Sequence, residues 1–285
     1  SFWMLAGKDD VATVAYYNRR MESYSDDKIK LSGAYGHRWR HRFCFDQLQS
    51  VIDLLRRDIH SRRCVITMWD PEELIKQLLL SNIDNPPRDL CCNTHAYVQV
   101  VEGKLELTVC NRSNDFIWGM VGANAVHFSF LQEYLANALE VPVGPMHQFS
   151  TNVHVYTDLF PKERLLLMMK QHRDPYIEEF QPVISYQELE NDESSFREDL
   201  VSLVNLETLK SNQRLDQLAV SIHSPFLRET VVPMMQAWNF HKERAHDEAI
   251  QLLKETIPQE DWQLAGIRWL ERTRDRYISQ NPYRE

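Results

Sequence analysis

Apolar residues recur three and four positions apart at Leu48, Val51, Ile52 and Leu55, a spacing that predicts an amphipathic helix from Phe45 to Arg57. A similar pattern predicts a helix from Val11 to Arg20, followed by a polar stretch at Ser25-Asp26-Asp27-Lys28 and a glycine-containing turn at Gly33-Ala34-Tyr35-Gly36. The run Arg63 to Trp69 is short, β-branched and apolar, hence strand-like. A brief helix is expected after Asp70-Pro71, then a polar link at Asn85-Pro86-Pro87. Two strands follow, Cys92 to Val101 and Lys104 to Asn111, turned at Glu102-Gly103. A long apolar helix from about Asn124 to Leu139 leads through a proline and glycine link to a strand around Thr151 to Tyr156. Together these elements predict an α+β fold with a mixed sheet packed by helices.

From about Glu188 the chain turns acidic and polar, then helical to its end, with Trp262, Ile267, Trp269 and Leu270 as the apolar teeth of the last helix. The expected organisation is a main domain over residues 1–190 and a helical extension over 191–285 that packs on it or on a dimer mate. The length of 285 residues and the 43% hydrophobic content allow a real core. A net charge of -9 argues against direct nucleic-acid binding through a general basic surface. With no apolar run near the roughly 20 residues that span a bilayer, and no signal-peptide layout, the expectation is a cytoplasmic protein. Cys44, Cys64, Cys91, Cys92 and Cys110 show no metal-ligand spacing, so reduced thiols and no metal are expected. On a strand, Cys91 and Cys92 would point to opposite faces, so at most one faces a given pocket. The chain opens inside an apolar segment, Ser1 to Leu5, which suggests a missing N-terminal piece.

Chemistry-bearing residues fall in a definite order. They are Tyr35-Gly36-His37-Arg38-Trp39-Arg40, Ser61-Arg62-Arg63, Trp69-Asp70-Pro71, Cys92, Arg112-Ser113-Asn114-Asp115 twenty residues later, a helix led by Asn124, and His154-Val155-Tyr156. Singly each is ordinary. A strand cysteine is usually a small core residue, a paired arginine a solvated helix end, a turn tyrosine a packing aromatic and a loop aspartate a cap. In sequence, over about Phe2 to Tyr156, they resemble the thymidylate synthase family, which includes the pyrimidine-nucleotide hydroxymethylases.

The resemblance implies a homodimer that acts on a pyrimidine deoxynucleoside monophosphate with 5,10-methylenetetrahydrofolate as co-substrate. It makes Cys92 the nucleophile that adds to C6 of the base. Arg112 and Ser113 would bind the nucleotide phosphate, joined by Arg62 and Arg63 reaching across from the other subunit, since guanidinium forks suit a dianion. The arginines would also favour the Cys92 thiolate. His154 and Tyr156 would meet the sugar 3'-hydroxyl, and Tyr35 would help remove the C5 proton through ordered water. Asp115 would lie between nucleotide and folate and meet the pterin ring, with Trp39 and Trp69 as further folate contacts. Counting without a gap from Arg112 puts Ala123 at the place of the asparagine that reads the base edge, whereas one inserted residue within Met120 to Ala123 brings Asn124 there. An amide at that place suits uracil, and related deoxycytidylate enzymes carry an aspartate.

Departures from the family pattern tilt the expected reaction. Asn93 follows the nucleophile where synthases usually have histidine, and Tyr97 stands where they usually have glutamine. Viral hydroxymethylases lack that histidine too, and their Arg-Ser-Asn-Asp agrees at all four positions, so a phage source is expected. The chain ends Ser279 to Glu285 without the small apolar tail that closes synthases over folate, which favours water over hydride as the last nucleophile. The family's glutamate acid/base and phosphate-loop arginine would precede Ser1. Hydroxymethylation of dUMP or dCMP is therefore expected, against a true thymidylate synthase or an impaired nucleotide-binding protein on the same scaffold.

Overall fold

The computed structural model describes residues 1–80, 88–170 and 193–280. The link at Asn85-Pro86-Pro87, the expected boundary near Glu190 and the last five residues lie outside the described residues. Contacts divide the chain into two units, Ser1–Gln171 and His172–Glu285.

The first unit opens with helices α1 (Phe2–Leu5), α2 (Val11–Tyr17), α3 (Tyr35–Arg40) and α4 (Gln47–Arg57). Helix α2 stops at Tyr17, short of Arg20, and a 3-10 turn takes over at Arg19–Ser23. The expected turn at Tyr35-Gly36 is instead the first turn of α3. In α4 the apolar stripe is buried, each side chain contributing roughly 1.5–3 kcal/mol. Asp46 caps α4 by accepting from the Gln49 amide at 3.1 Å. Gln47 then ties the helix to strand β1 (Val65–Thr67), because its Oε1 accepts from Thr67 N at 2.8 Å and its Nε2 donates to Thr67 O at 2.9 Å.

After α5 (Glu72–Leu80) come β2 (Asn93–Val101) and β3 (Lys104–Asn111). Both hairpin-turn residues have positive φ, Glu102 at 50° and Gly103 at 76°, as a two-residue turn matched to strand twist requires. Strand β4 (Asn114–Asp115), a π-helical turn (Phe116–Ala123), α6 (Asn124–Ala138), β5 (Val143–Ser150), β6 (Val153–His154) and α7 (Lys162–Lys170) complete the unit. The main sheet has the order β1-β2-β3-β5, antiparallel except for the parallel β3/β5 pair, and β4 pairs with β6. This is the mixed α+β architecture expected from the pattern.

The strand expected over Thr151 to Tyr156 is corrected. The long strand is Val143–Ser150, and only Val153–His154 pairs farther on. Pro145 lies within it because β5 is the outer strand of the sheet, where a missing amide donor is tolerated.

One sheet face is core, with Ile66, Ala96, Val98, Leu107 and Val109 fully buried beneath α4 and α6. The opposite face is open in the single chain. Its rows run Val65, Tyr97, Thr108, His147 and Thr67, His95, Cys110, Phe149 in register.

The second unit is helical over its described residues. Ala249, Ile250 and Leu253 of helix His246–Thr256 pack with Ile257 and with Ile267 and Leu270 of helix Glu260–Gln280, and Trp262 lies partly buried against them. Trp269 stays largely exposed beside Trp238. Among the described residues of the chain no helix is long and apolar enough to cross a membrane.

Candidate active site

The two adjacent cysteines are sorted by the turn that enters β2. Cys91 is buried, with its thiol donating to the Gly33 carbonyl at 3.3 Å, whereas Cys92 is half-buried. The Cys92 carbonyl accepts from the Arg112 amide at 2.9 Å, so β3 ends beside it. The Arg112 guanidinium is aimed by its Nε, which donates to Cys91 O at 2.7 Å, and it lies 5.6 Å over the Trp69 ring. Burial pushes the Cys92 thiol above its ordinary range, Arg112 draws it back and Glu73 pushes it up again. Desolvation thus outweighs the downward pull of Arg112 on the Cys92 thiol. Glu73 itself is buried and paired with Arg38, whose Nη1 donates to Met68 O at 2.6 Å.

Tyr35 stands on the other side. Its hydroxyl accepts from the Asn93 amide at 3.4 Å, and burial, then the neighbouring Cys91 and Cys92, hold it a neutral phenol. From Asn93 a row of amides leads away. Asn93 Nδ2 donates to Asn124 Oδ1 at 3.2 Å, and Asn124 Nδ2 donates to Asn114 Oδ1 at 3.0 Å. The π-helical turn Phe116–Ala123, interrupted by a non-helical Gly122, leads into α6, and it is Asn124 at the head of α6 that takes part in this row.

Asp115 caps the π turn through the Trp118 amide and pairs in register with His154. Ser113, half-buried, stands between Arg112 and Asn114. The Asn114 amide donates to Asn152 O at 2.8 Å, and His154 Nδ1 donates to Asn152 Oδ1 at 3.0 Å. The Tyr156 ring meets His154 edge-on at 5.1 Å, although it lies beyond the two-residue strand.

Links of contact thus join Tyr35, Cys92, Trp69, Arg112, Asn124, Asp115, His154 and Tyr156. Three expected residues stand apart. Trp39 is fully buried against Phe128, so it offers a folate no surface. Arg62 and Arg63 are exposed just before β1, with no ion pair or hydrogen bond among the described residues of this chain. Residue order gave no sign that Asn93, Asn114, Ser150 and Gln148 form one network, since they sit on three separate strands.

A family model described as thymidylate synthase matches residues 2–219, more than half of the chain. This chain belongs to the thymidylate synthase family. The deoxyuridylate hydroxymethyltransferase of Pseudomonas phage M6 is 36% identical over 289 residues, which cover 96% of this chain and 76% of that protein. The namesake from Bacillus phage SP01 is 36% identical over 168 residues, covering 55% of this chain and 42% of the relative. The crystal structure of thymidylate synthase from T4 phage aligns at 23% identity over 61% of each chain, with a TM-score of 0.47. The family match takes in the whole cluster around Cys92 and runs on into the second unit.

Proposed function

We propose that this chain hydroxymethylates C5 of dUMP. The observation that carries the reading is the half-buried Cys92 beneath Arg112, in a chain whose phage M6 relative is named for that transfer. The Cys92 sulfur adds to C6 of the base and makes C5 nucleophilic. The co-substrate 5,10-methylenetetrahydrofolate supplies a one-carbon unit at the oxidation level of formaldehyde. Water completes the product, so that dUMP, methylenetetrahydrofolate and water become 5-hydroxymethyl-dUMP and tetrahydrofolate, with Cys92 released by elimination.

Chain residues supply the rest. Arg112 and Ser113 grip the phosphate and Tyr35 helps relay the C5 proton. His154 and Tyr156 face the sugar, and Asn124 reads the base. A flat folate ring fits beside Asp115, because the π turn presents Phe116, Trp118 and Val121 at 40, 53 and 56% exposure, with Trp69 nearby. The open sheet face, with Tyr97 and Phe149 exposed, suits a second copy of the chain. Such a homodimer gives the unpaired Arg62 and Arg63 a phosphate to meet in the opposite subunit.

Incubation with dUMP and labelled methylenetetrahydrofolate is expected to give a 5-hydroxymethyl nucleotide and tetrahydrofolate. A 5-methyl product with dihydrofolate would instead establish a thymidylate synthase. The Cys92→Ser variant should lose at least about 1,000-fold in turnover, as removal of a nucleophile does. Release of tritium from C5 of dUMP that persists in that variant would sink the covalent mechanism, and its absence in the unaltered protein would leave a nucleotide-binding scaffold.

A further inference from the structure

A carboxamide has two nearly isosteric orientations, and its neighbours choose between them. For Asn124 the choice is made at a distance. Gln148 Nε2 donates at 2.9 Å to the Met120 carbonyl, which can only accept. Reversing Gln148 would set two acceptors against each other, so its Oε1 is left to face Asn114. Asn114 Nδ2 donates to Ser150 Oγ at 3.1 Å and approaches Gln148 Oε1 at 3.5 Å, which turns Asn114 Oδ1 towards Asn124. Asn124 Nδ2 donates to that oxygen, and Asn124 Oδ1 receives Asn93 Nδ2. At the far end the Asn93 amino group is committed to Asn124, and its buried Oδ1 is without a hydrogen-bond partner among the described residues.

The contact is also sterically prepared. A Cβ on Gly119 would fall 2.5 Å from Asn114 Oδ1 and 3.4 Å from Asn124 Nδ2, so the π turn has to pass this point without a side chain. All three asparagines are nearly inaccessible, with Asn93, Asn114 and Asn124 at 0, 2 and 7% exposure, so water does not compete for these bonds. Asn124 keeps one lone pair on Oδ1 and one hydrogen on Nδ2, an acceptor and a donor side by side in fixed order. Uracil offers N3–H beside O4, whereas cytosine offers a bare N3 beside an amino group. A carboxamide free to turn serves either base; a locked one meets one and opposes the other.

We infer that Asn114, held by Ser150 and Gln148, is a positioning residue that locks the Asn124 carboxamide and so makes the site accept uracil and reject cytosine. The inference rests on the reaction proposed above, and it assigns base choice to residues that need not touch the base.

The test compares dUMP and dCMP, each tritiated at C5, as kcat/KM ratios for Cys92-dependent release of tritium in the presence of methylenetetrahydrofolate. Asn114→Leu removes the acceptor that Asn124 needs, and Gly119→Ala crowds the same contact from the backbone. Each is expected to lower the preference for dUMP by about tenfold, roughly the worth of one buried hydrogen bond. Asn114→Asp keeps an acceptor towards Asn124 but loses the donor that meets Gln148 Oε1, and is expected to lose less of the preference than Asn114→Leu. Should Asn114→Leu misfold by circular dichroism, Gly119→Ala carries the decision. An unchanged ratio in the folded disrupting variants, or an equal loss in Asn114→Asp, overturns the inference while the reaction stands. No release from either nucleotide by the unaltered protein would instead remove the reaction on which it rests.

Discussion

In the helical unit the buried Asp199 and Asn239 both end on partners. Asp199 accepts from the amides of His223 and Ser224 at 2.9 and 3.0 Å, and Asn239 Nδ2 donates to Leu209 O and Asn212 Oδ1, each at 2.8 Å. In the sheet unit several end without one. Asn93 Oδ1, Asn111 Oδ1, Asp89 Oδ2 and Trp39 Nε1 are buried with no hydrogen-bond partner among the described residues. Each such atom costs about 1–3 kcal/mol, a cost that structures carry mainly where the group has other work. Three of the four belong to strands β2 and β3 or to the segment leading to Cys92, and the row of amides starts among them. The contrast teaches that Asp199 and Asn239 act as stitching between segments of the helical unit, whereas around Cys92 the sheet unit carries buried polar atoms that add nothing to stability.

The largest effect expected from this contrast lies in the helical unit. Leu253→Ala should cost about 2–5 kcal/mol in denaturant unfolding while kcat/KM for dUMP in the folded fraction stays as it was. Loss of activity with stability retained would break the distinction. Next is Arg112→Ala, expected to raise the KM for dUMP by about 10- to 100-fold, the range for a lost charged hydrogen bond. Because Arg112 draws the Cys92 thiol down, the same variant should also be alkylated more slowly by iodoacetamide at neutral pH. Faster alkylation would show that Arg112 shields the sulfur more than it activates it.

The smallest effect concerns Asp89, whose carboxyl burial pushes up to about 6 although it accepts from the Gly33 amide at 2.9 Å. A folded value above the unfolded one of about 3.9 means that the group favours folding below pH ~4 and loses that contribution as pH rises through about 6. Asp89→Asn should therefore stabilise the protein on the order of 1–2 kcal/mol at pH 8, after allowance for solvent screening, and change little at pH 4. A melting series across that window checks the sign, and equal stabilisation at both ends would refute it.

Much of the fold was legible because its signals are local. The stripe of α4, the Glu102-Gly103 hairpin and the start of α6 follow from neighbours a few residues apart, and all three stand where the pattern put them. Strand β5 was missed because a Pro145-bearing segment reads as a link until its pairing with β3, some forty residues upstream, shows it to be an edge strand. Of the site, the order of motifs marked Cys92, Arg112 and Asn124. It could not show that Trp39 is sealed beneath Phe128, nor that burial outweighs Arg112 at the Cys92 thiol.

The sequence suggested that neighbouring sulfurs would face opposite ways, although both stand just before β2 rather than on it, and residue chemistry dictates which groups can attack, grip a phosphate or read a base. Which of the two sulfurs is half-open depends on the Gly33 carbonyl that takes the Cys91 thiol, and the way round that Asn124 presents its amide is tied to a carbonyl at Met120, a hydroxyl at Ser150 and a bare Gly119 that only the folded chain brings together. Local propensity acts through near neighbours. Desolvation and hydrogen-bond polarity act through whatever the packing places alongside, and for those the tertiary structure decides.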